Sequence, residues 1–421
     1  MAFLNQPTTS SNSARTSLWK ELKSSYVLGG ILLFLSVNLL LLVLQPLSKV
    51  DPESLPSAHT WVWWATREYL QEQHRPAVVL LGSSLLMHPV SRTDADMLGE
   101  DLDYVHHHRS LYMESLLAKR LEIREGSCFN FALPGGMMSD DYIVARALFG
   151  GQRKPKLIVL GLSLRDFIDN GVHCAGATPA FRYLKRFTSV DDLMPLAMPE
   201  LWQRFDYAVG KAFYLWGKKL EMQVALSEKV KQRLAPLMAR FCSPSQIDKL
   251  DPARNMPSNL RAEVEEGMFI VKAHQPYSWE DNSREYRKRY RTGNDKQFAI
   301  QAEFLEKLMA LCHAQDIRVL IVNMPLTQTN LALMPAGSYR HYLCVLDQAS
   351  RRWHSRFVDL SMDSRFQRAD FYDTAHMNSS GGQKLIEAIV GQIAGSQRLT
   401  ASLASPPSVR SQLASQGHRS L

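Results

Sequence analysis

Val78-Val79-Leu80-Leu81-Gly82-Ser83-Ser84-Leu85 is an apolar run that breaks on glycine and delivers a hydroxyl at its carboxyl end. A short, continuous run of aliphatic and β-branched residues closed by a turn signal predicts a strand buried on both faces of a parallel sheet. The design occurs three times, at Ala77 to Leu81, Lys156 to Leu160 and Arg318 to Val322. Each run ends in a polar or glycine-containing turn, and helical patterns lie between them, for example Gln297 to Gln315. That alternation predicts an α/β fold with a parallel sheet. Ligands of such sheets gather at the carboxyl ends of the strands. Gly82-Ser83-Ser84 and Gly161-Leu162-Ser163-Leu164-Arg165-Asp166 occupy that edge.

Serine is a weak nucleophile until a base accepts its proton, and histidine suits the task because its pKa lies near neutrality. Almost three hundred residues after Ser84, Asp373-Thr374-Ala375-His376-Met377-Asn378-Ser379-Ser380-Gly381 puts a carboxylate three residues before an imidazole, on a turn that leads into a last helix. At i and i+3 the two fall on the same side of a helical turn and can both face a strand-end serine. A carboxylate behind the imidazole fixes its tautomer and stabilises the imidazolium that forms. Each residue also has a plain reading. Ser84 can cap the following helix, Asp373 can be a turn residue, and His376 a surface imidazole. Asn378 or Ser379 is expected to cap the last helix.

The chain resembles the SGNH hydrolase superfamily, also called GDSL esterases. Gly82-Ser83-Ser84-Leu85 matches the family's first motif with Ser84 in the nucleophile position, and Asp373 with His376 matches its last motif. Asn130-Phe131-Ala132-Leu133-Pro134-Gly135-Gly136 is similar to the second motif, which implies that Gly135 offers a backbone N–H to the oxyanion. The third motif departs from the pattern, because no asparagine stands in Gly161 to Asp166. Ser163 or Arg165 is then the expected additional oxyanion donor, Arg165 and Asp166 forming a structural ion pair as the alternative. The replaced motif, the Gly-Ser-Ser opening and an amino-terminal anchor are similar to a membrane-anchored branch that includes the D-alanyl transfer protein of teichoic acid modification and proteins of polysaccharide O-acetylation. The resemblance implies a three-layer, flavodoxin-like parallel sheet and a serine esterase or O-acyltransferase without cofactor or metal. Its implied substrates are acyl esters of cell-envelope polysaccharide, teichoic acid or lipid, with a membrane-bound acyltransferase as a partner. Loss of an oxyanion donor costs about 10²–10³ in rate, so a catalytically weak binding or assembly component is the alternative.

Tyr26 to Leu44 is nineteen residues without a charge, against a requirement of about 20 apolar residues for a membrane-spanning helix. A signal peptide has a shorter apolar core and ends at small residues, whereas this run closes on Leu44-Gln45-Pro46-Leu47. Arg15, Lys20 and Lys23 precede it, and Lys49 is followed by Asp51 and Glu53. The positive-inside rule then predicts a cytoplasmic amino terminus and an exoplasmic remainder. The expected organisation is a flexible tail over 1–25, a span over 26–47, a linker over 48–75, the hydrolase-like domain over 76–394 and a disordered tail over 395–421. About 140 residues separate the second strand from the third, and the helical pattern from Thr188 to Leu250 predicts a helical insertion or lid over about 171–300. Trp61, Trp63 and Trp64 either rest at the headgroup level or pack on the domain.

The formal charge of +8 sits largely at the ends: residues 1–25 carry +2 and residues 395–421 carry +3. The globular part is nearly balanced, which argues against nucleic acid as a partner. Its dense basic run, Arg284 to Arg291, reads as a solvated helix face or a contact for anionic groups. His106, His107 and His108 are adjacent and cannot all converge on one metal, and the five scattered cysteines form no knuckle or redox motif.

Overall fold

Strands β1 (Val78–Gly82), β2 (Cys128–Asn130), β3 (Leu157–Leu162), β4 (Arg318–Asn323) and β5 (Arg356–Asp359), numbered along the chain, form one parallel sheet. The computed structural model describes residues 26–51, 53, 59–73, 75–123, 128–226, 264–291 and 294–404. Sheet order is β2-β1-β3-β4-β5, the flavodoxin-like arrangement in which the chain winds first one way and then the other from β1. Every residue of β1 and β3 is buried. Helices account for that, since a parallel sheet with crossovers on both sides has no wet face.

Two helical layers result. Ser84–Leu98, Leu111–Leu121 and Ser379–Ala394 pack together on one side, and Met138–Leu148, Asp295–Ala314 and Ala336–Arg352 on the other. The crossover helix Asp295–Ala314 turns Phe298, Gln301, Leu305, Leu308 and Cys312 inward at spacings of three and four, as its sequence predicts. The α/β fold with a parallel sheet is therefore as expected, with β2 and β5 added. β2 has only three residues, and β5 is an edge strand with no buried residue.

The described chain divides into two compact units, Pro56–Pro199 with Met256–Leu421, and Met1–Leu55 with Glu200–Asn255. The α/β unit thus begins earlier than residue 76. Within the expected linker, Trp61–Gln71 is a helix that buries Val62, Trp63, Ala65 and Tyr69, and Tyr69 sits edge-on to Phe129 and Phe131. Trp64 donates its indole N–H to the Val264 carbonyl at 2.8 Å. Trp63 and Trp64 thus pack on this unit. The expected tail from 395 also starts as structure: Gln397–Ala404 is a helix that buries Leu399 and Leu403, and residues 405–421 lie outside the described set. Among the described residues of the insertion, 171–226 are mainly helical, and the returning part contributes Ile270–Val271, paired antiparallel with Leu102–Asp103. Residues 227–250 of the expected helical pattern also lie outside the described residues.

The second unit contains Tyr26–Leu44, a single helix of 19 residues, long and apolar enough to cross a membrane, with no buried residue.

Candidate active site

The switch point of the sheet lies between β1 and β3, whose pairing ends at Gly82 opposite Gly161. Ser83 takes extended geometry as the N-cap of the next helix, and Ser84 becomes its first residue. The Ser84 side chain does not cap that helix. Its Oγ lies 2.9 Å from His376 Nε2, across 292 residues of sequence.

His376 arrives on a turn after β5 that is bridged between Phe371 and Met377. Asn378 closes the turn by accepting the Gly381 N–H at 3.1 Å, capping Ser379–Ala394 as the sequence predicts. That helix docks against the serine helix through Gly382, where a Cβ would stand 2.3 Å from the Pro89 carbonyl oxygen and 2.3 Å from Thr93 Oγ1. Only glycine permits this approach, and it fixes the distance between the two elements that carry Ser84 and His376.

His376 Nδ1 lies 2.7 Å from Asp373 Oδ2, and Asp373 Oδ1 accepts the backbone N–H groups of Ala375 and His376, both at 2.7 Å. Burial alone would push the Asp373 carboxyl up, but its hydrogen bond to His376, the His376 charge and the two N–H donors outweigh it and hold the pKa below the usual value. An ionised Asp373 accepts from Nδ1–H and leaves the Nε2 lone pair toward the hydroxyl, an assignment made from the hydrogen bonds. The His376 side chain is 15% exposed, so the pair is open to solvent on one side.

Leu133 O accepts the Gly136 N–H at 2.9 Å, with Pro134 and Gly135 between them. Proline second and glycine third at φ +73° make this a type II turn, whose central peptide presents the Gly135 N–H away from the turn's own hydrogen bond. Among the described residues neither that N–H nor the Ser84 N–H has a protein acceptor. The turn's outer side lines a cleft of about 380 Å³ with Trp61, Val172 and His173.

Ser163 and Arg165 differ from their expected place as oxyanion donors. Ser163 is fully buried and gives its N–H (2.8 Å) and its hydroxyl (3.3 Å) to Asp166 Oδ2. Arg165 is buried too. Its guanidinium donates to the Gly136 carbonyl (3.2 and 3.1 Å) and to Asp169 (3.1 Å), and pairs with Asp166 at 3.4 Å. Arg289, from the basic run read as a solvated face, turns inward to pair with Asp169 as well. Burial pushes the Asp166 carboxyl up to about 6, although Arg165 and Ser163 pull it down. These polar residues therefore brace the Gly135–Gly136 turn from behind.

Two residues next to His376, His88 and Tyr372, and Arg92 behind Tyr372 escaped the sequence reading. His88 lies one helical turn beyond Ser84, its ring edge-on to His376 at 5.2 Å and its Nδ1 2.7 Å from the Tyr104 hydroxyl. Burial, then the neighbouring His376 and Arg92, hold the His88 pKa well below the ordinary imidazole value, so it stays neutral. Tyr372 stacks on His376 at 5.7 Å, and the Arg92 guanidinium lies 4.4 Å from the Tyr372 ring. The signal was the spacing: Ser84, His88 and Arg92 stand at i, i+4 and i+8, one face of one helix. By contrast the histidine run disperses, His107 to Asp94, His108 to the Asn130 and Val105 carbonyls, and His106 to Glu68 and Glu266. Among the described residues no group of His, Cys, Asp or Glu is arranged to hold a metal.

No known protein family matches the chain, and no curated protein matches its sequence. Among solved structures, that of LAE5, an alpha/beta hydrolase enzyme from the metagenome of Lake Arreo, Spain, aligns with 80% of this chain and 100% of its own length at 13% identity, with a TM-score of 0.33. A likeness this remote carries no assignment of function.

Proposed function

We propose that the protein is a membrane-anchored serine esterase or O-acyltransferase of the SGNH type. The observation that carries the reading is the unbroken chain of hydrogen bonds from Ser84 Oγ through His376 to Asp373. Ser84 Oγ attacks the acyl carbonyl while His376 Nε2 takes its proton. The resulting oxyanion is met by the N–H groups of Ser84 and Gly135. Collapse expels the alcohol, which receives the proton from His376, and leaves an acyl group on Ser84. Water or an acceptor hydroxyl then enters with His376 again as base, and the choice between them separates hydrolysis from transfer. With the Tyr26–Leu44 helix as a retained anchor and the α/β unit exoplasmic, acyl esters of envelope polysaccharide, teichoic acid or lipid are the substrates within reach, and a membrane-bound acyltransferase is the fitting partner. Neither a cofactor, a metal nor nucleic acid enters this chemistry.

A second reading, a binding or assembly component with little turnover, is favoured by the inward commitment of Ser163 and Arg165, which leaves two backbone donors for the oxyanion. Hydrolysis of p-nitrophenyl acetate and labelling by a fluorophosphonate probe separate the two. The enzyme reading expects both activities in the wild type and neither in Ser84→Ala. A folded wild-type protein that shows neither supports the binding component instead.

A further inference from the structure

Asn38 is the one amide side chain of a mostly apolar span, and an amide in hydrocarbon must find partners. It finds both in one place. Its Nδ2 donates to the Ala212 carbonyl at 2.9 Å, and its Oδ1 accepts the Tyr214 N–H at 2.8 Å. Ala212 ends the helix Leu201–Ala212 and Tyr214 begins Tyr214–Gly217, so one side chain satisfies an orphan carbonyl and an orphan N–H at the break between them. Phe213, in the break, lies 5.4 Å from Phe34 of the span, and the Leu47 N–H donates to the Tyr214 hydroxyl at 2.9 Å.

The helix so held is amphipathic. Leu201, Trp202, Phe205, Ala208, Val209 and Ala212 fall on one face, while Arg204, Asp206 and Lys211 fall elsewhere. None of its residues is buried, and Leu201, Trp202 and Phe205 are 81%, 67% and 71% exposed. Asp206 braces the bend, accepting the Trp216 indole N–H at 2.8 Å and pairing with Lys219 at 3.3 Å. Leu44 lies six positions beyond Asn38, which puts the break about 9 Å inside the carboxyl end of the span at 1.5 Å per residue. Amphipathic helices lying in a membrane surface bury their apolar face by about 5–10 Å. The two depths agree.

We propose that residues 201–217 form a second membrane-contacting element, lying in the plane of the leaflet at the carboxyl end of the span with Leu201, Trp202 and Phe205 among lipid acyl chains. This rests on Tyr26–Leu44 spanning the bilayer and is independent of esterase turnover. Asn38 is then a tie between anchor and surface helix, satisfied at the depth where an unpaired amide would be costly.

The full chain, reconstituted in phosphatidylcholine vesicles containing a phospholipid with a diazirine on its acyl tail, tests this by irradiation, proteolysis and mass spectrometry. Crosslinks are expected on peptides from both 26–44 and 201–217. In Trp202→Glu/Phe205→Glu the 201–217 crosslinks should fall roughly tenfold with 26–44 unchanged, since charged side chains avoid the acyl region. Crosslinks on 26–44 alone in the wild type would overturn the proposal and leave the anchor standing; crosslinks on neither segment would overturn both. An unchanged 201–217 yield in the double variant would also count against it.

Discussion

β1 and β3 end side by side, Gly82 opposite Gly161, and each runs into a serine two residues later, yet the two serines meet opposite fates. Ser84 opens a helix of 15 residues, is half-buried, and bonds His376. Ser163 precedes a single helical turn, Arg165–Ile168, whose four residues are all buried, and its donors close on Asp166. Position at a strand end is thus insufficient to make a serine available. The element that follows decides: a long helix along the sheet face lifts its first residue to the edge, whereas one buried turn folds the polar groups back beneath the neighbouring loop.

The largest expected effect tests that contrast directly. Ser84→Ala should lower kcat/KM for p-nitrophenyl acetate by about 10⁴–10⁶, while Ser163→Ala, which loses only an inward hydroxyl bond, should change it less than about tenfold. Equal losses at the two serines would erase the distinction. Asp373→Asn comes next. The amide supports the wrong imidazole tautomer, and a loss of about 10⁴ in kcat is expected with the circular dichroism spectrum unchanged.

Bracing at the β3 end should appear in stability before it appears in chemistry. Arg165→Met removes the buried cation that pairs with both Asp166 and Asp169, so urea denaturation should show a loss of about 3–5 kcal/mol. A change below about 1 kcal/mol would contradict the bracing role. Gly382→Ala should cost about 1–3 kcal/mol by overpacking against Pro89 and Thr93, and should reduce kcat by widening the gap between Ser84 and His376.

The smallest effect concerns acid. Asp373 has a folded pKa below the unfolded value of about 3.9, so its stabilisation is complete above that value and fades as pH falls through the depressed one. Stability measured from pH 5 down to pH 2 should therefore fall less steeply in Asp373→Asn than in the wild type. Parallel curves would deny the carboxylate its preference for the charged form.

Much of this was legible in the residues. Apolar runs at Val78, Leu157 and Arg318 announced three buried strands, because strands covered on both faces need unbroken apolar sequence. β2 was not legible, since three residues are too few for a pattern, and β5 was not, because Arg356 and Asp359 are polar at an exposed edge. Asp373 and His376 could be read as a pair from local spacing, but Arg165 could not be placed from sequence: whether its fork faces a substrate or the Gly136 carbonyl depends on a turn 29 residues away. His88 was overlooked for a different reason. Its helical spacing from Ser84 was visible, but only the packing of Tyr372 and Tyr104 around it makes it part of the site.

The most direct test of the central claim is where a serine-directed reagent attaches. Full-length protein treated with a fluorophosphonate and mapped by peptide mass spectrometry should carry one adduct, on the peptide containing Ser84, and the adduct should be strongly reduced in His376→Ala. A folded protein that acquires no adduct, or acquires it on a serine other than Ser84, would contradict the account.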